Sequence, residues 1–168
     1  MTNNKDHPID REALARTKKI AEEIKFCMMT SATPEGHLIS RPMTALEIDD
    51  EGCFWFFASE ESEQTISIDR EDSVNLAFAL PSESKYLAVT GSATVVKDRA
   101  KIDALWNPWA AAWFPDGKDD PLLCLIRVHA QTAEYWEGPG KLVQIFGIAK
   151  AILTHKRYDT GGEHAKLI

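Results

Sequence analysis

The chain of 168 residues is 44% hydrophobic and 27% charged, which is ordinary for one globular domain with its own core. Its net charge of −7 argues against a nucleic acid or an anionic membrane surface as the main partner. No apolar run approaches the ~20 residues that a membrane helix needs, and the N-terminus lacks the apolar core of a signal peptide. We therefore expect a single cytoplasmic domain over residues 1–168, with polar, mobile ends at residues 1–9 and 154–168.

The three cysteines and five histidines do not suggest a disulfide or a metal site. Each cysteine stands alone in an apolar run, and the histidines lack the short spacing of metal ligands. We expect Cys27, Cys53 and Cys124 to be small buried hydrophobic residues in a reducing compartment.

The first predicted elements are a helix and a strand. Asp10 is placed to cap a helix, and the apolar positions of that helix fall on one face: Leu14, Ile20, Ala21 and Ile24. Residues 26–30 form the first predicted strand, and residues 33–36, which contain Pro and Gly, turn the chain back. A helix with one apolar stripe is expected to cover a sheet rather than to form the core.

Two β-rich runs then flank a polar turn. Residues 38–48 and 53–58 are predicted strands, and Gly52 in the turn at residues 49–52 suits a hairpin. The first run contains one buried-looking cation, Arg41.

The second run ends at Ser59, and a short helix is predicted after it, over residues 60–69. A guanidinium on one strand and a serine-led helix start after its partner can converge on a phosphate. The alternative is that Arg41 is a surface ion-pair residue and that Ser59 is only a helix cap.

Residues 53–57 (CFWFF) are apolar on both faces of their strand. A barrel strand with only water outside would alternate, so we expect a helix or a second subunit to cover the outer face. A homodimer is the simplest such assembly.

The remaining elements are strands at residues 74–80, 86–96, 122–136 and 141–153, with a helix from Asp98 through Leu105 between the second and third. Gly91 in the middle of a strand indicates a bulge or sharp bend. Six or seven strands with mostly short connections and three peripheral helices predict a mainly β fold, an antiparallel β-barrel with added helices.

Several linked motifs in this order resemble the flavin-binding split-barrel superfamily of pyridoxamine 5'-phosphate oxidase-like proteins, and within it the general stress protein 26 group. The resemblance covers about residues 14–153. Its motifs are Ser40-Arg41-Pro42-Met43, Phe54-Trp55-Phe56-Phe57 with Ser59 and Ser62, Tyr86 to Gly91, Asp98 to Ile102, Trp106-Asn107-Pro108 with Trp113-Phe114-Pro115, and Ala133 to Trp136.

The resemblance implies a homodimeric antiparallel split β-barrel that holds FMN at the subunit interface, each flavin touched by both chains. Arg41 matches the family's arginine to the FMN phosphate, and Ser62 and Gln64 match the phosphate-binding run. The other implied cofactor-binding residues line the ring and ribityl chain or complete the phosphate site: Pro42, Met43, Thr44, Phe57, Ala58, Ser59, Tyr86, Trp113 and Trp136. For Trp113 the alternative is packing in the core or at the dimer interface.

The sequence departs from the family in two places. Relatives carry Lys where this chain has Gln64, and Glu60, Glu61 and Glu63 crowd the same helix start, so FMN binding is expected to be weak and to improve in Gln64→Lys. True pyridoxamine-phosphate oxidases also have a late Arg-His-Arg cluster, but residues 141–146 read KLVQIF. That reaction is therefore not assigned.

The leading hypothesis is a flavin-dependent oxidoreductase that acts on an unidentified small molecule, with a nicotinamide electron donor as one option. Its catalytic residues are not identified by the sequence. The alternatives are a non-enzymatic flavin-binding or sensing module, and a split barrel that uses FAD, a deazaflavin or haem.

Overall fold

The computed structural model describes residues 11–139 and 163–166. In chain order the elements are α1 (Arg11–Ile24), β1 (Phe26–Ala32), β2 (Leu38–Thr44), β3 (Glu47–Ile48), β4 (Cys53–Ser59), α2 (Glu63–Ile68), β5 (Ser73–Leu80), β6 (Lys85–Val96), α3 (Arg99–Leu105), β7 (Leu123–Glu137) and β8 (Glu163–Lys166). Two 3₁₀ turns, Ala110–Ala112 and Gly117–Asp119, lie between α3 and β7. The predicted helix cap at Asp10 and the predicted strand at residues 141–153 lie outside the described residues.

The strands form one antiparallel sheet in the order β2-β1-β5-β6-β7-β4-β3, with β8 paired to β7. The sheet curls around a main core, and among the described strands β2 and β3 are its two ends. Alternate residues of β1 and β5 point into this core, because successive side chains of a strand face opposite ways. The inward set is Cys27, Met29, Ser31, Val74, Leu76 and Phe78. The predicted antiparallel β fold with peripheral helices is confirmed.

A β-bulge lies between β6 and β7 at the predicted glycine. The register of the two strands shifts between Thr90 and Gly91. A Cβ atom at Gly91 would lie 2.2 Å from the backbone oxygen of His129, so no larger residue fits this close approach without backbone movement. The predicted bulge is confirmed.

The prediction of one strand over residues 38–48 is wrong, because the chain changes its partner within that run. β2 pairs with β1, whereas β3 pairs with β4. The change falls at two adjacent residues: the amide of Ala45 donates to Lys25 O at 2.9 Å, and the amide of Leu46 donates to Trp55 O at 2.9 Å. Only the two residues of β3 form the predicted hairpin with β4.

The turn of that hairpin is held by Asp49. The Asp49 carboxylate accepts hydrogen bonds from the amide of Cys53 at 2.8 Å and from the indole of Trp55 at 2.9 Å. Partial burial favours the neutral acid, but these hydrogen bonds outweigh it and hold the pKa of Asp49 below its ordinary value. Gly52 ends the turn at φ 78°, a conformation that favours glycine.

The second face of β4 is covered by its own chain. Trp55 and Leu125 pack there against Ile102 of α3 and Phe114 of the following loop. The ring of Phe57 meets Trp106 edge-on at 5.7 Å between centroids. Of the two predicted covers for this strand, the structure therefore supplies a helix and its connecting loop.

The three cysteines are buried and free, as expected. The predicted apolar face of α1 is also confirmed, since Leu14, Ile20 and Ala21 are buried. None of the helices in residues 11–139 is long and apolar enough to cross a membrane.

Candidate functional site

Arg41 lies at the open edge of the sheet and reaches α2. Its side chain is 47% exposed, and one guanidinium nitrogen lies 2.6 Å from a carboxylate oxygen of Glu63. The expectation of a buried cation is wrong. Among the described strands β2 pairs only with β1, and five of its seven residues, Arg41 included, are exposed. The expected approach of Arg41 to the start of the following helix is observed, and so is the alternative of a surface ion pair.

The helix cap is Ser62, not Ser59. The Ser62 hydroxyl accepts a hydrogen bond from the amide of Thr65 at 3.2 Å and lies 2.7 Å from the Thr65 hydroxyl. Ser59 is the last residue of β4, and its backbone oxygen accepts from the Thr65 hydroxyl at 2.7 Å. Thr65, which sequence reasoning missed, therefore ties the end of β4 to α2.

Gln64 points into the protein. Its side chain is 2% exposed, and its amide nitrogen donates to the hydroxyl of Ser31 at 3.0 Å. Its amide oxygen is buried without a partner among the described residues. Neighbouring positions of a helix point in different directions, so Glu63 faces Arg41 while Gln64 faces β1.

Two of the three carboxylates at the start of α2 have cationic partners. Glu63 contacts Arg41, and Glu60 lies 2.6 Å from the ammonium nitrogen of Lys97. Glu61 is exposed. The crowding expected from the sequence is thus partly neutralised in this chain.

A second group of predicted residues lies on the convex side of the sheet. Tyr86 of β6 and Trp136 of β7 stand opposite each other, and their exposed fractions are 41% and 40%. Pro42 is exposed on β2, opposite Met28 of β1. We define the outer face as the exposed apolar set Phe26, Met28, Pro42, Tyr86 and Trp136. Thr44 lies opposite Phe26 at the margin of this face.

The other predicted residues are elsewhere. Met43 is partly buried against the main core, and Ala58 belongs to that core. Phe57 packs against Trp106 and Phe114 on the second face of β4. Trp113 is 81% exposed in the loop after α3. The predicted site residues therefore occupy separate parts of one chain and do not line a single pocket within it.

A cavity of about 390 Å³, which the sequence did not indicate, lies beside the hairpin of β1 and β2. Its wall includes Thr30, Asn75 and Thr90, and the Asn75 amide donates to the Thr90 hydroxyl at 3.3 Å. These three polar residues lie on β1, β5 and β6, which are adjacent in the sheet although β1 and β5 are far apart in the chain.

The fold identifies the structural class of the protein. The curled antiparallel sheet with its peripheral helices matches the split-barrel fold expected from the sequence. The family described as "Pyridoxamine 5'-phosphate oxidase like" matches residues 12–159, and the chain belongs to that family.

Three proteins with known names are similar to this chain. The general stress FMN/FAD binding protein from Xanthomonas citri, known from a crystal structure, is 32% identical to this chain. The match covers 75% of this chain and 89% of that protein, with a TM-score of 0.65. A putative general stress protein 26 from a Jannaschia species is 25% identical, covers 93% and 97%, and has a TM-score of 0.69. The protein bli-3 of Neurospora crassa is 29% identical over 143 residues, which are 79% of this chain and 68% of its own.

Proposed function

We propose that this chain binds FMN through its phosphate at Arg41, and that two copies form a homodimer that encloses the flavin. The observation that carries the proposal is the position of the Arg41 guanidinium, half-exposed at the sheet edge and in contact with the first turn of α2. A guanidinium binds a phosphate with two parallel charge-assisted hydrogen bonds, and Arg41 is accessible for that contact.

The serine next to this position fits the same ligand. Within residues 11–139 the Ser62 hydroxyl bonds only inside its own turn, to Thr65, and Ser62 is partly exposed. Rotation of the hydroxyl would let it donate to a phosphate oxygen at the loss of one local hydrogen bond. The flavin in the name of the Xanthomonas citri relative supports this assignment, since that protein covers three quarters of the chain.

The outer face supports the homodimer. Phe26 and Met28 of β1 are 66% and 42% exposed. The exposed Ala77 and Ala79 of β5 lie between them and the exposed rings of Tyr86 and Trp136. Contiguous exposed apolar side chains on a sheet are typical of a protein interface. The predicted site residues also lie in separate parts of one chain, and a second copy could bring them together at one flavin. This arrangement likewise favours a homodimer.

The chemistry of the proposed reaction belongs to the flavin, which supplies hydride or electron transfer when it is bound. Arg41 and Ser62 would hold the phosphate, and the exposed rings of Tyr86, Trp136 and Trp113 would provide flat walls for the ring system. We propose an oxidoreductase that acts on a small molecule. FMN is proposed over FAD because Arg41 offers one accessible cation, which suits the single terminal phosphate of FMN.

The first experiment is titration of the purified protein with FMN, FAD and riboflavin, followed by quenching of flavin fluorescence and by the visible spectrum after gel filtration. We expect Arg41→Gln to weaken FMN binding by about ten- to a hundredfold and to leave riboflavin binding unchanged. Lys97→Gln is the matched control, since Lys97 also pairs with a carboxylate near α2. Equal loss in both variants, or no FMN binding by the parent protein, would contradict the phosphate site.

Two further measurements separate the remaining alternatives. Light scattering with and without FMN measures the mass, and a monomer in both states would contradict the enclosed flavin. Oxidation of NADH or NADPH by the FMN-loaded protein, compared with free FMN, distinguishes an oxidoreductase from a binding module. No acceleration over free FMN with either donor would favour the binding module.

A further inference from the structure

The geometry points to a built-in competitor at the phosphate site. We infer that Glu63 occupies Arg41 whenever no phosphate is bound, and that it makes the site select dianionic phosphates over weaker anions. This inference rests on the proposed phosphate site at Arg41 and adds a residue to it that acts against the ligand.

The contact itself is specific. The Glu63 carboxylate oxygen and the Arg41 nitrogen are 2.6 Å apart, although the two residues are 22 positions apart in the chain and lie on different elements. Both side chains are about half-exposed, at 57% and 47%, so the carboxylate can swing away without leaving a buried charge. The pair can therefore open and close.

Glu63 differs from the carboxylates beside it. Glu60 is engaged by Lys97, which lowers the negative potential that it adds to the site. Glu61 is exposed, and no ion pair involves it within residues 11–139. Only Glu63 of these three competes directly for the guanidinium.

The competition gives selectivity because Glu63 is tethered. A tethered carboxylate is present at an effective concentration of the order of millimolar or higher, so a dilute free carboxylate cannot displace it from Arg41. A phosphate monoester has about two negative charges and three acceptor oxygens and can displace it. The site would therefore remain closed to monoanions and open to FMN.

The experiment compares FMN and riboflavin binding in the full-length parent protein and in Glu63→Gln, with Glu61→Gln as the matched control. Glu63→Gln is expected to tighten FMN binding by about three- to thirtyfold and to leave riboflavin binding unchanged. Glu61→Gln is expected to tighten it less than about threefold, an effect that disappears in 0.5 M salt. Acetate is expected to inhibit FMN binding by Glu63→Gln and not by the parent protein.

A double-variant cycle makes the inference independent of folding and of general charge. In the Arg41→Gln background, the gain from Glu63→Gln should shrink to that of Glu61→Gln. Equal gains in both backgrounds, or equal gains from the two glutamates, overturn the competitor. If the parent protein binds FMN no more tightly than riboflavin, the phosphate site itself is overturned. The two failures are therefore distinguishable.

Discussion

Strands β2 and β4 both carry predicted site residues, but their environments are opposite. Four of the first five residues of β4 are buried, since both faces are covered, one by the main core and the other by α3 and its loop. β2 is exposed at five of its seven residues, and among the described strands it pairs only with β1. β4 is also the more apolar strand, since six of its seven residues are Cys, Phe, Trp or Ala, whereas β2 contains Ser, Arg, Pro and Thr.

The difference separates stability from binding. Residues of β4 hold the fold together by removing large apolar side chains from water. Residues of β2 remain accessible, and Arg41 there makes a solvent-exposed contact that a ligand can replace. We expect substitutions in β4 to change the free energy of unfolding and substitutions in β2 to change binding.

The largest expected effect is in β4. Phe56 is fully buried in the main core, and Phe56→Ala should lower the free energy of unfolding by about 3–5 kcal/mol through lost burial and a cavity. Leu38→Ala in β2 is the control, and because Leu38 is 76% exposed we expect a change below about 0.5 kcal/mol. Urea unfolding followed by circular dichroism measures both. Similar losses in the two variants would remove the contrast between the strands.

The second-largest expected effect is in α2, which contacts β4 through Thr65 and β2 through Glu63. Gln64→Lys should lower the free energy of unfolding by about 1–3 kcal/mol, because the ammonium would enter a position that is 2% exposed. The sequence independently predicts tighter FMN binding for this variant, and a flavin titration tests that separately. Gln64→Met, which keeps the length without a charge, is the control. A lysine variant as stable as the methionine variant would contradict the buried position.

A smaller effect tests whether β2 shields the core behind it. Met43 of β2 lies opposite Cys27, and burial raises the pKa of the Cys27 thiol to about 12 from an ordinary value of 9.0. The unfolded thiol ionises first, so rising pH favours the unfolded state. The native protein should lose about 1.4 kcal/mol of stability from this thiol between pH 8 and pH 10.

The measurement is the difference in unfolding free energy between the parent protein and Cys27→Ala at several pH values. The other two thiols are present in both proteins and cancel in that difference. A difference that does not change with pH would show that Cys27 is accessible to hydroxide in the native state, and therefore that β2 does not shield it.

The smallest expected change in stability is that of Arg41→Gln. A half-exposed ion pair contributes little, and we expect the free energy of unfolding to change by less than about 1 kcal/mol. Together with the loss of FMN affinity proposed above, this would assign Arg41 to binding. A loss of more than about 1 kcal/mol, measured by urea unfolding, would assign it a structural role instead.

Much of the fold could be predicted from the sequence because its signals are local. The turn at Gly52, the bulge at Gly91 and the start of α3 each depend on the conformational or hydrogen-bonding preference of one residue type. At the start of α3 the Asp98 carboxylate caps the helix by accepting from the amide of Lys101. The change of partner at Ala45 and Leu46 could not be predicted, because a continuous β-rich run does not reveal which neighbour each half pairs with.

The site was only partly predictable for a related reason. The motif around Arg41 identified the cation and the helix that it approaches, but not Glu63 as its partner or the inward direction of Gln64. Those two outcomes depend on how α2 is rotated against β1 and β2. No local pattern at the helix start specifies that rotation.

The sequence by itself determined the class of fold, the family and the position of the candidate cation, since alternating strands, turn residues and ordered motifs are properties of the chain. Tertiary structure alone decided that α3 and its loop, rather than a second subunit, cover β4, and that β2 lies at an edge of the described sheet. The physical reason is that burial depends on what packs against a residue: α3 with its loop packs on β4, whereas β2 is the last of the described strands at its end of the sheet.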